Sequence, residues 1–286
     1  MPSLVYRKAI KLIDLIFRFP DYRRIKKLLS KEKFRSLVRS NKNWPWRFPN
    51  TIFFTDCRIT SILLILVHQF DFIDKYFFDE FLIQGVNNSV SLWSQKDIYS
   101  EILLSISSNI KEGFFDLSFS YCGDIIYVAG FSVIPGFIYG INSENVILIS
   151  KMQVIKGKVD LIEKCLKEHV GINLQRNIFH AIIGIANKLK IYNILSVKAS
   201  QQLSFKDNIL SFYSTYNSFF ETIQGVESLD GLWYIKLPLF DAEISNNSAS
   251  HRRRRLIRRR FNGEIIQSIN TSIDTIIDSS RIRNVS

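Results

Sequence analysis

Residues 112–157 read EGFFDLSFSYCGDIIYVAGFSVIPGFIYGINSENVILISKMQVIKG, and this stretch decides the fold. It is rich in β-branched and aromatic residues, and glycine and proline interrupt it at intervals. The uncharged run 125–141 is too broken for a membrane helix, because Pro135-Gly136 divides it into two short segments. We therefore predict buried strands joined by turns, over 112–119, 125–133, 136–141 and 146–155.

The chain after residue 157 alternates between helical and strand patterns. This order predicts an α+β fold, with a mixed sheet core and flanking helices. Its C-terminal half invites comparison with N-acetyltransferase-like folds. The predicted elements are helices over 159–168, 174–189 and 206–221, and strands over 192–197 and 232–237.

Both ends of the chain are predicted to be helical. Apolar residues at spacings of three and four indicate an amphipathic helix over 5–19, and Pro20-Asp21 begins a second, basic helix over 22–39. Isoleucines every four residues predict one long C-terminal helix. The predicted organisation is a basic helical N-terminal region over 1–50 and an α+β domain over 51–286. Within this domain we predict a mainly helical part over 51–110, with helices at 60–70 and 96–107. A strand-rich core over 111–240 and the C-terminal helix over 251–280 follow it.

Positive charge is concentrated at the two ends of the chain. The formal net charge is +12; residues 1–50 contribute +11, residues 251–286 contribute +6, and residues 51–250 carry −5. The two ends are therefore the candidates for binding phosphate-bearing partners. A hydrophobic content of 47% excludes a disordered or low-complexity protein.

Export, membrane-spanning and metal-binding patterns are not found in the sequence. Charged residues interrupt the first apolar segment, so we predict neither a secretory signal peptide nor a transmembrane helix. Three cysteines without close spacing argue against a disulfide framework and favour a reducing, cytoplasmic location. No histidine has a cysteine or carboxylate at metal-site spacing, so no metal site is predicted. His68 is expected to be a hydrogen-bonded core histidine.

Several segments between about residues 45 and 275 resemble, in order and spacing, the VirK/YbjX family (DUF535). They are Arg58 with Leu63-Leu64 and His68, Glu112-Gly113 with Leu117-Ser118, Gln153 and Gly157, Leu195-Ser196-Val197, residues 216–220, Leu237-Pro238 and the arginines of 252–260. The sequence departs from the family pattern at Gln201-Gln202, where a histidine is expected. It also has Asn217 and Phe220 in place of aspartate and tryptophan.

The resemblance implies a biological role rather than a reaction. Members of the family are proteins of Gram-negative bacteria. They are associated with virulence, intracellular growth, tolerance of antimicrobial peptides and the display of surface proteins. The resemblance implies no catalytic residues.

The arginine block is the sharpest local signal. Guanidinium groups bind phosphate oxygens in bidentate fashion, and no carboxylate lies among these arginines in the sequence. The alternative is that the arginines brace the fold through residues such as Asp241 and Glu243. The candidate anion-binding residues are Arg252, Arg253, Arg254, Arg255, Arg258, Arg259 and Arg260.

The basic N-terminal helices and the tryptophans after them fit an arm that lies on a membrane surface. One alternative is an ordinary helical subdomain packed on the core. A nucleic-acid surface is less favoured, because neither an RNA-recognition motif nor a helix-turn-helix pattern is present. The candidate membrane-surface residues are Arg23, Arg24, Lys26, Lys27, Trp44, Trp46 and Arg47.

The turn that follows the last strand of the quoted stretch is a third candidate site. In N-acetyltransferase-like folds, backbone amides at a glycine-containing turn and the next helix hold the cofactor pyrophosphate. Gln153 and Gly157 are therefore candidate ligand residues for an acyl-CoA type donor, although the spacing is off by one position. The alternative is an ordinary turn.

The leading hypothesis is a cytoplasmic, virulence-associated protein at the inner face of the inner membrane. It would support envelope or surface-protein biogenesis through contacts with anionic lipid or envelope-biogenesis proteins, without a cofactor. The alternatives are an acyltransferase-like enzyme that uses acyl-CoA and a nucleic-acid-binding regulator. Whether the two basic ends share one surface stays open at the level of sequence.

Overall fold

The computed structural model describes residues 19–40, 59–83, 88–108, 112–168, 173–202, 209–228, 230–239 and 249–281. Within these ranges the protein is α+β, with a mixed sheet of eight strands and helices around it. This confirms the predicted fold class. None of the helices in these ranges is long and apolar enough to cross a membrane. The helix predicted over 5–19 lies outside the described residues.

Four described helices precede the sheet. They are α1 (Phe19–Leu29), α2 (Glu32–Ser40), α3 (Ile59–Tyr76) and α4 (Asp79–Ile83). α1 packs on α3 and α2 packs on α4, because each N-terminal helix turns an apolar side inward. Ile25 and Leu28 of α1 are buried, and Phe34 of α2 meets Phe70 of α3 edge to face, with 5.6 Å between ring centroids. Residues 19–40 thus belong to the folded body, whereas the division of the chain at residue 50 stays a prediction.

The sheet has the strand order β1-β2-β3-β4-β5-β6-β8-β7. Its strands are β1 (Ser89–Gln95), β2 (Ser100–Ile106), β3 (Phe115–Tyr121), β4 (Asp124–Ile134), β5 (Val146–Val154), β6 (Asn193–Ser196), β7 (Val226–Glu227) and β8 (Trp233–Lys236). β5 and β6 are parallel and the other neighbouring pairs are antiparallel. Parallel neighbours need a long crossover, and α5 (Val159–Glu168) and α6 (Leu174–Leu189) supply it.

α6 and the last helix, α8 (Ala249–Ser272), pack against each other along much of their length. Gly184 of α6 permits this close approach, because a Cβ there would lie 3.1 Å from the Ile269 side chain. Ile265, Ile269 and Ile273 are fully buried on this side of α8 and of the turn after it. The remaining described helix, α7 (Ile209–Thr222), follows β6.

The strands define two ends of the sheet. We call "upper" the end where β1, β3, β5 and β6 finish and β2 and β4 begin; it carries the turns 96–99, 122–123 and 155–158. α6 runs from the upper end to the lower end, because it leads from the finish of β5 to the start of β6. α8 runs in the same direction, since Gly184 lies against Ile269 and Lys188 pairs with Asp274 at 2.6 Å. The first turns of α8 therefore lie at the upper end.

Most predicted elements are confirmed, but two are wrong. In addition, the single helix predicted over 22–39 is divided into α1 and α2 at residues 30–31, and the helix predicted over 251–280 ends at Ser272. The helix predicted over 96–107 is β2 preceded by a short 3-10 turn, and β1 was not predicted, so the range 51–110 contains two strands as well as helices. The apolar spacing of 98–106 fits a helix, but pairing with β1 and β3 on both sides favours the extended form.

The second error is the strand predicted over 136–141. This segment is a 3-10 turn, Gly136–Tyr139, which joins β4 to β5. Gly136 is required there, because a Cβ would lie 2.5 Å from the carbonyl oxygens of Ile141 and Ser143. Gly140, with a φ of 66°, ends the turn in the left-handed region.

Candidate functional site

The predicted anion-binding arginines form the first turns of α8, which we call the arginine segment (residues 252–260). Packing of α8 on the body begins just after it, where Phe261 meets Trp93 of β1 with 5.4 Å between ring centroids. Further along, the Ser268 hydroxyl donates to the Leu92 carbonyl at 3.0 Å. α8 therefore consists of a packed part and a preceding part with largely exposed side chains.

Two apolar side chains are exposed within the arginine segment. Leu256 is 57% exposed and Ile257 is 44% exposed. Because successive helical residues are about 100° apart, these two side chains lie about 120–140° around the axis from the buried isoleucines of α8. Arg252, Arg253 and Arg260 lie on the same outer side. The outer side thus presents two apolar side chains bordered by three cations.

The remaining arginines differ in their surroundings. Arg255 and Arg259 are half-buried and have interactions with other residues. Arg260 pairs with Glu264 one turn later, at 2.9 Å. Among the residues that the structure describes, no carboxylate pairs with Arg252, Arg253, Arg254 or Arg258. Asp241 and Glu243, the expected bracing partners, lie outside the described residues.

The N-terminal cations form a separate patch. Arg23, Arg24, Lys26 and Lys27 are exposed on α1, opposite its buried apolar side. Arg24 pairs with Asp71 of α3 at 2.6 Å. The other candidate membrane-surface residues, Trp44, Trp46 and Arg47, lie outside the described residues.

The two basic patches lie near opposite ends of α8. The last turn of α3, close to the α1 patch, bonds to the segment after α8, where Asp278 N donates to the Tyr76 carbonyl at 2.8 Å. The arginine segment begins at the other end of this 24-residue helix, which is about 36 Å long. Within the described residues, the cations of α1 and the arginine segment therefore form two separate patches.

The candidate ligand turn has the geometry of a strand-to-helix connection. Gln153 pairs with Val128 in the β4–β5 ladder, and the Ile155 amide donates to the Ile126 carbonyl at 3.0 Å. Gly157 adopts a φ of 79°, which a side chain would strain, and α5 begins two residues later. The glycine is explained by the turn itself.

A polar cluster near this turn was not predicted as a site. β5 and β6 pair at three positions, ending at Ile149 opposite Ser196, and β5 then continues alone on that side to Val154. At the point of divergence the buried hydroxyls of Ser196 and Tyr216 are 2.8 Å apart. Burial raises the pKa of Tyr216 well above its usual value, so its phenol stays protonated.

Gln202 adds a buried carboxamide beside this cluster. Its side chain is 2% exposed and lies next to Tyr216. Neither its amide nitrogen nor its oxygen has a well-formed hydrogen bond within the described ranges. Gln202 belongs to the Gln201-Gln202 pair, at which the resemblance to the VirK/YbjX family led us to expect a histidine, but the sequence did not indicate that its side chain is buried.

A buried charge cluster lies in the middle of the sheet. Lys151 of β5 reaches across Gly130 of β4 to Asp116 of β3, with 3.3 Å between Nζ and Oδ1. Its Nζ also lies 3.6 Å from Oε2 of Glu112. This charge cluster can form because Gly130, which has no side chain, leaves room for the aliphatic chain of Lys151. The alternation of side chains along each separate strand gave no indication of this charge cluster, which spans three strands.

Two histidines, His68 and His180, have ordinary structural roles. Nε2 of His68 donates to Oδ1 of Asn145 at 2.9 Å, and burial lowers the pKa of His68. Nδ1 of His180 donates to the Arg176 carbonyl one turn earlier, at 2.9 Å. His68 is thus the hydrogen-bonded, largely buried histidine that was predicted. His169 lies outside the described residues.

Comparisons with known proteins identify a family. No curated protein matches the sequence significantly. No solved structure does so either. One family model, described as "Protein of unknown function (DUF535)", matches residues 7–275, which is most of the chain. The chain therefore belongs to the DUF535 family, the family that includes the VirK/YbjX proteins.

Proposed function

We propose that this protein attaches peripherally to an anionic lipid surface through the arginine segment of α8. From that position, at the inner face of the inner membrane, it supports the biogenesis of the bacterial envelope or its surface proteins. The observation that carries the proposal is the exposure of Leu256 and Ile257 between arginines on the outer side of α8. Membership of the DUF535 family is consistent with a virulence-associated role.

The outer side of α8 carries both arginines and apolar side chains, and this combination favours contact with a membrane surface over contact with water alone. Each cation close to an anionic leaflet contributes about 1 kcal/mol to binding. Transfer of a leucine or isoleucine side chain out of water adds up to about 1.5–3 kcal/mol. A helix face that contacts only water needs no apolar residues. A helix at a membrane interface, in contrast, makes charged contacts with lipid headgroups and apolar contacts with acyl chains.

Vesicle flotation tests this proposal. Vesicles of phosphatidylcholine with and without phosphatidylglycerol are mixed with the full chain at low and high salt. We expect binding to the phosphatidylglycerol vesicles at low salt, weakened at high salt because screening shortens the reach of the charges. Replacement of Arg252–Arg255 by alanine should abolish most of this binding.

A matched control removes the same number of charges at the other patch. Replacement of Arg23, Arg24, Lys26 and Lys27 by alanine should weaken binding by a smaller factor, because the apolar side chains of α1 that the structure describes, Ile25, Leu28 and Leu29, are buried. Equal losses in the two variants would mean that net charge alone decides binding. That outcome, or no binding at low salt, would contradict the proposal.

A second candidate function is acyl transfer from an acyl-CoA type donor. The divergence of β5 and β6, with the buried polar side chains of Tyr216, Ser196 and Gln202 beside it, favours this candidate, because ligands often bind where parallel strands end. Thermal denaturation with acetyl-CoA at millimolar concentration tests it. A rise in melting temperature would support the candidate, and an unchanged melting temperature would count against it.

A further inference from the structure

Exposed apolar side chains are concentrated at the upper end of the sheet. Twelve large apolar side chains are exposed in the described ranges, and seven of them lie at this end. Two are Leu256 and Ile257 of the arginine segment. The other five form what we call the docking face: Tyr99, Ile125, Val154, Val159 and Leu166.

The docking face is built from turns that are bonded to one another. Tyr99 ends the β1–β2 turn in the left-handed conformation, and its carbonyl accepts from the amide of Cys122 at 2.8 Å. Val154 and Val159 flank the turn into α5. The far end of α5 is held to β3, because the Tyr121 hydroxyl donates to Glu168. α5 therefore lies across the upper end, with Leu166 exposed on it.

Charges between these side chains are locally compensated. Lys158 pairs with Asp124 at 2.7 Å, and Lys167 of α5 pairs with Glu163 one turn earlier at 3.5 Å. Lys164 lies 3.9 Å from Glu168 in the same way. The docking face therefore consists of apolar side chains, and the charged residues between them nearly cancel one another. The excess positive charge at the upper end comes from the neighbouring arginine segment.

We propose that the docking face enters the same anionic bilayer as the arginine segment, so that the protein stands on the membrane with the upper end of its sheet down. This inference rests on the proposed membrane attachment and extends it from one helix to five further residues. Charge complementarity selects a phospholipid surface as the occupant, because apolar side chains beside a cluster of arginines match acyl chains beside phosphate groups.

Replacement of three side chains of the docking face tests the inference. The variant Tyr99→Ser/Val154→Ser/Val159→Ser leaves the arginine segment intact. Its dissociation constant for phosphatidylglycerol vesicles should rise about tenfold or more, because apolar contacts with the bilayer are lost. A control variant, Phe137→Ser/Tyr192→Ser, removes two similarly exposed side chains at the lower end and should change binding less than about twofold.

The outcomes separate this inference from the function on which it rests. Loss of binding in the Arg252–Arg255 alanine variant, with unchanged binding in the docking-face variant, would overturn the inference and leave attachment through α8 intact. Unchanged binding in the arginine variant would contradict the attachment itself. Circular dichroism of each variant excludes unfolding as the cause of a loss.

Cys122 offers an independent readout that needs no change in the docking face. It is exposed in the turn beside Tyr99, whereas Cys165 is buried. In a Cys57→Ser background, an environment-sensitive thiol dye on Cys122 should shift to shorter wavelength on phosphatidylglycerol vesicles. An unchanged spectrum under conditions in which the protein floats with the vesicles would contradict the proposed orientation.

Discussion

Gly130 shows how one residue fixes the middle of the sheet. It lies between Asp116 of β3 and Lys151 of β5, and the Glu112 carbonyl packs directly on its Cα. Gly113, with a φ of 132°, brings Glu112 into this position. The sequence marked Glu112-Gly113 only as a family resemblance, because a charge pair across three strands has no local signature.

Replacement of Gly130 by alanine should therefore be costly. The added Cβ would overlap the Glu112 carbonyl oxygen, and the resulting shift should lower the free energy of unfolding by about 1–3 kcal/mol. Urea denaturation measures this change. Gly263→Ala in α8 is the control, because its Cβ would meet no atom within 4 Å and should stabilise the helix by up to about 1 kcal/mol. Equal stabilities of the two variants would contradict the close packing at Gly130.

His68 should make the stability of the protein depend on pH. Burial lowers its pKa in the folded state below the ordinary value of 6.5, so the unfolded chain takes up a proton first as the pH falls. The contribution of His68 is therefore intact above about pH 6.5 and declines as the pH falls below it. Denaturation of the wild type and His68→Gln between pH 7.5 and 5 measures this effect. Parallel curves for the two proteins would contradict it.

At the scale of secondary-structure elements, α8 joins two functions in one helix. Its C-terminal half is a core element, whereas the arginine segment projects unpacked apolar side chains.

Leu256→Ser/Ile257→Ser should leave the melting temperature nearly unchanged, because exposed positions contribute little to stability. Ile269→Ala, in contrast, should lower the free energy of unfolding by about 2–5 kcal/mol. Thermal and urea denaturation of both variants would show whether this division of α8 is correct.

Elements with a strong local pattern could be predicted from the sequence. β4, β5, α5 and α6 occur close to their predicted positions, because each has the apolar period of its own conformation. β2 was mistaken for a helix because its conformation depends on strands on both sides. The exposure of Leu256 and Ile257 could not be predicted, since it depends on where packing of α8 on β1 begins.

At the scale of the whole molecule, the placement of charge matters more than its sum. Both ends of the chain are basic, as the sequence shows, but in the described residues the cations of α1 and those of the arginine segment are separated by about the length of α8. Of the two basic patches in the described residues, the arginine segment is the one that lies beside exposed apolar side chains of the upper end. Strand order and helix direction determine which side chains lie together at one end of the sheet. Local sequence patterns predict neither of these two properties.

The most direct test of the central claim is flotation of wild type and Leu256→Ser/Ile257→Ser with phosphatidylglycerol vesicles. The two proteins carry the same charge, so a difference between them reports insertion of the apolar side chains. We predict that the wild type floats at low salt and that the variant binds at least about tenfold more weakly. Equal binding of the two proteins, or no flotation of the wild type, would contradict attachment through the outer side of α8.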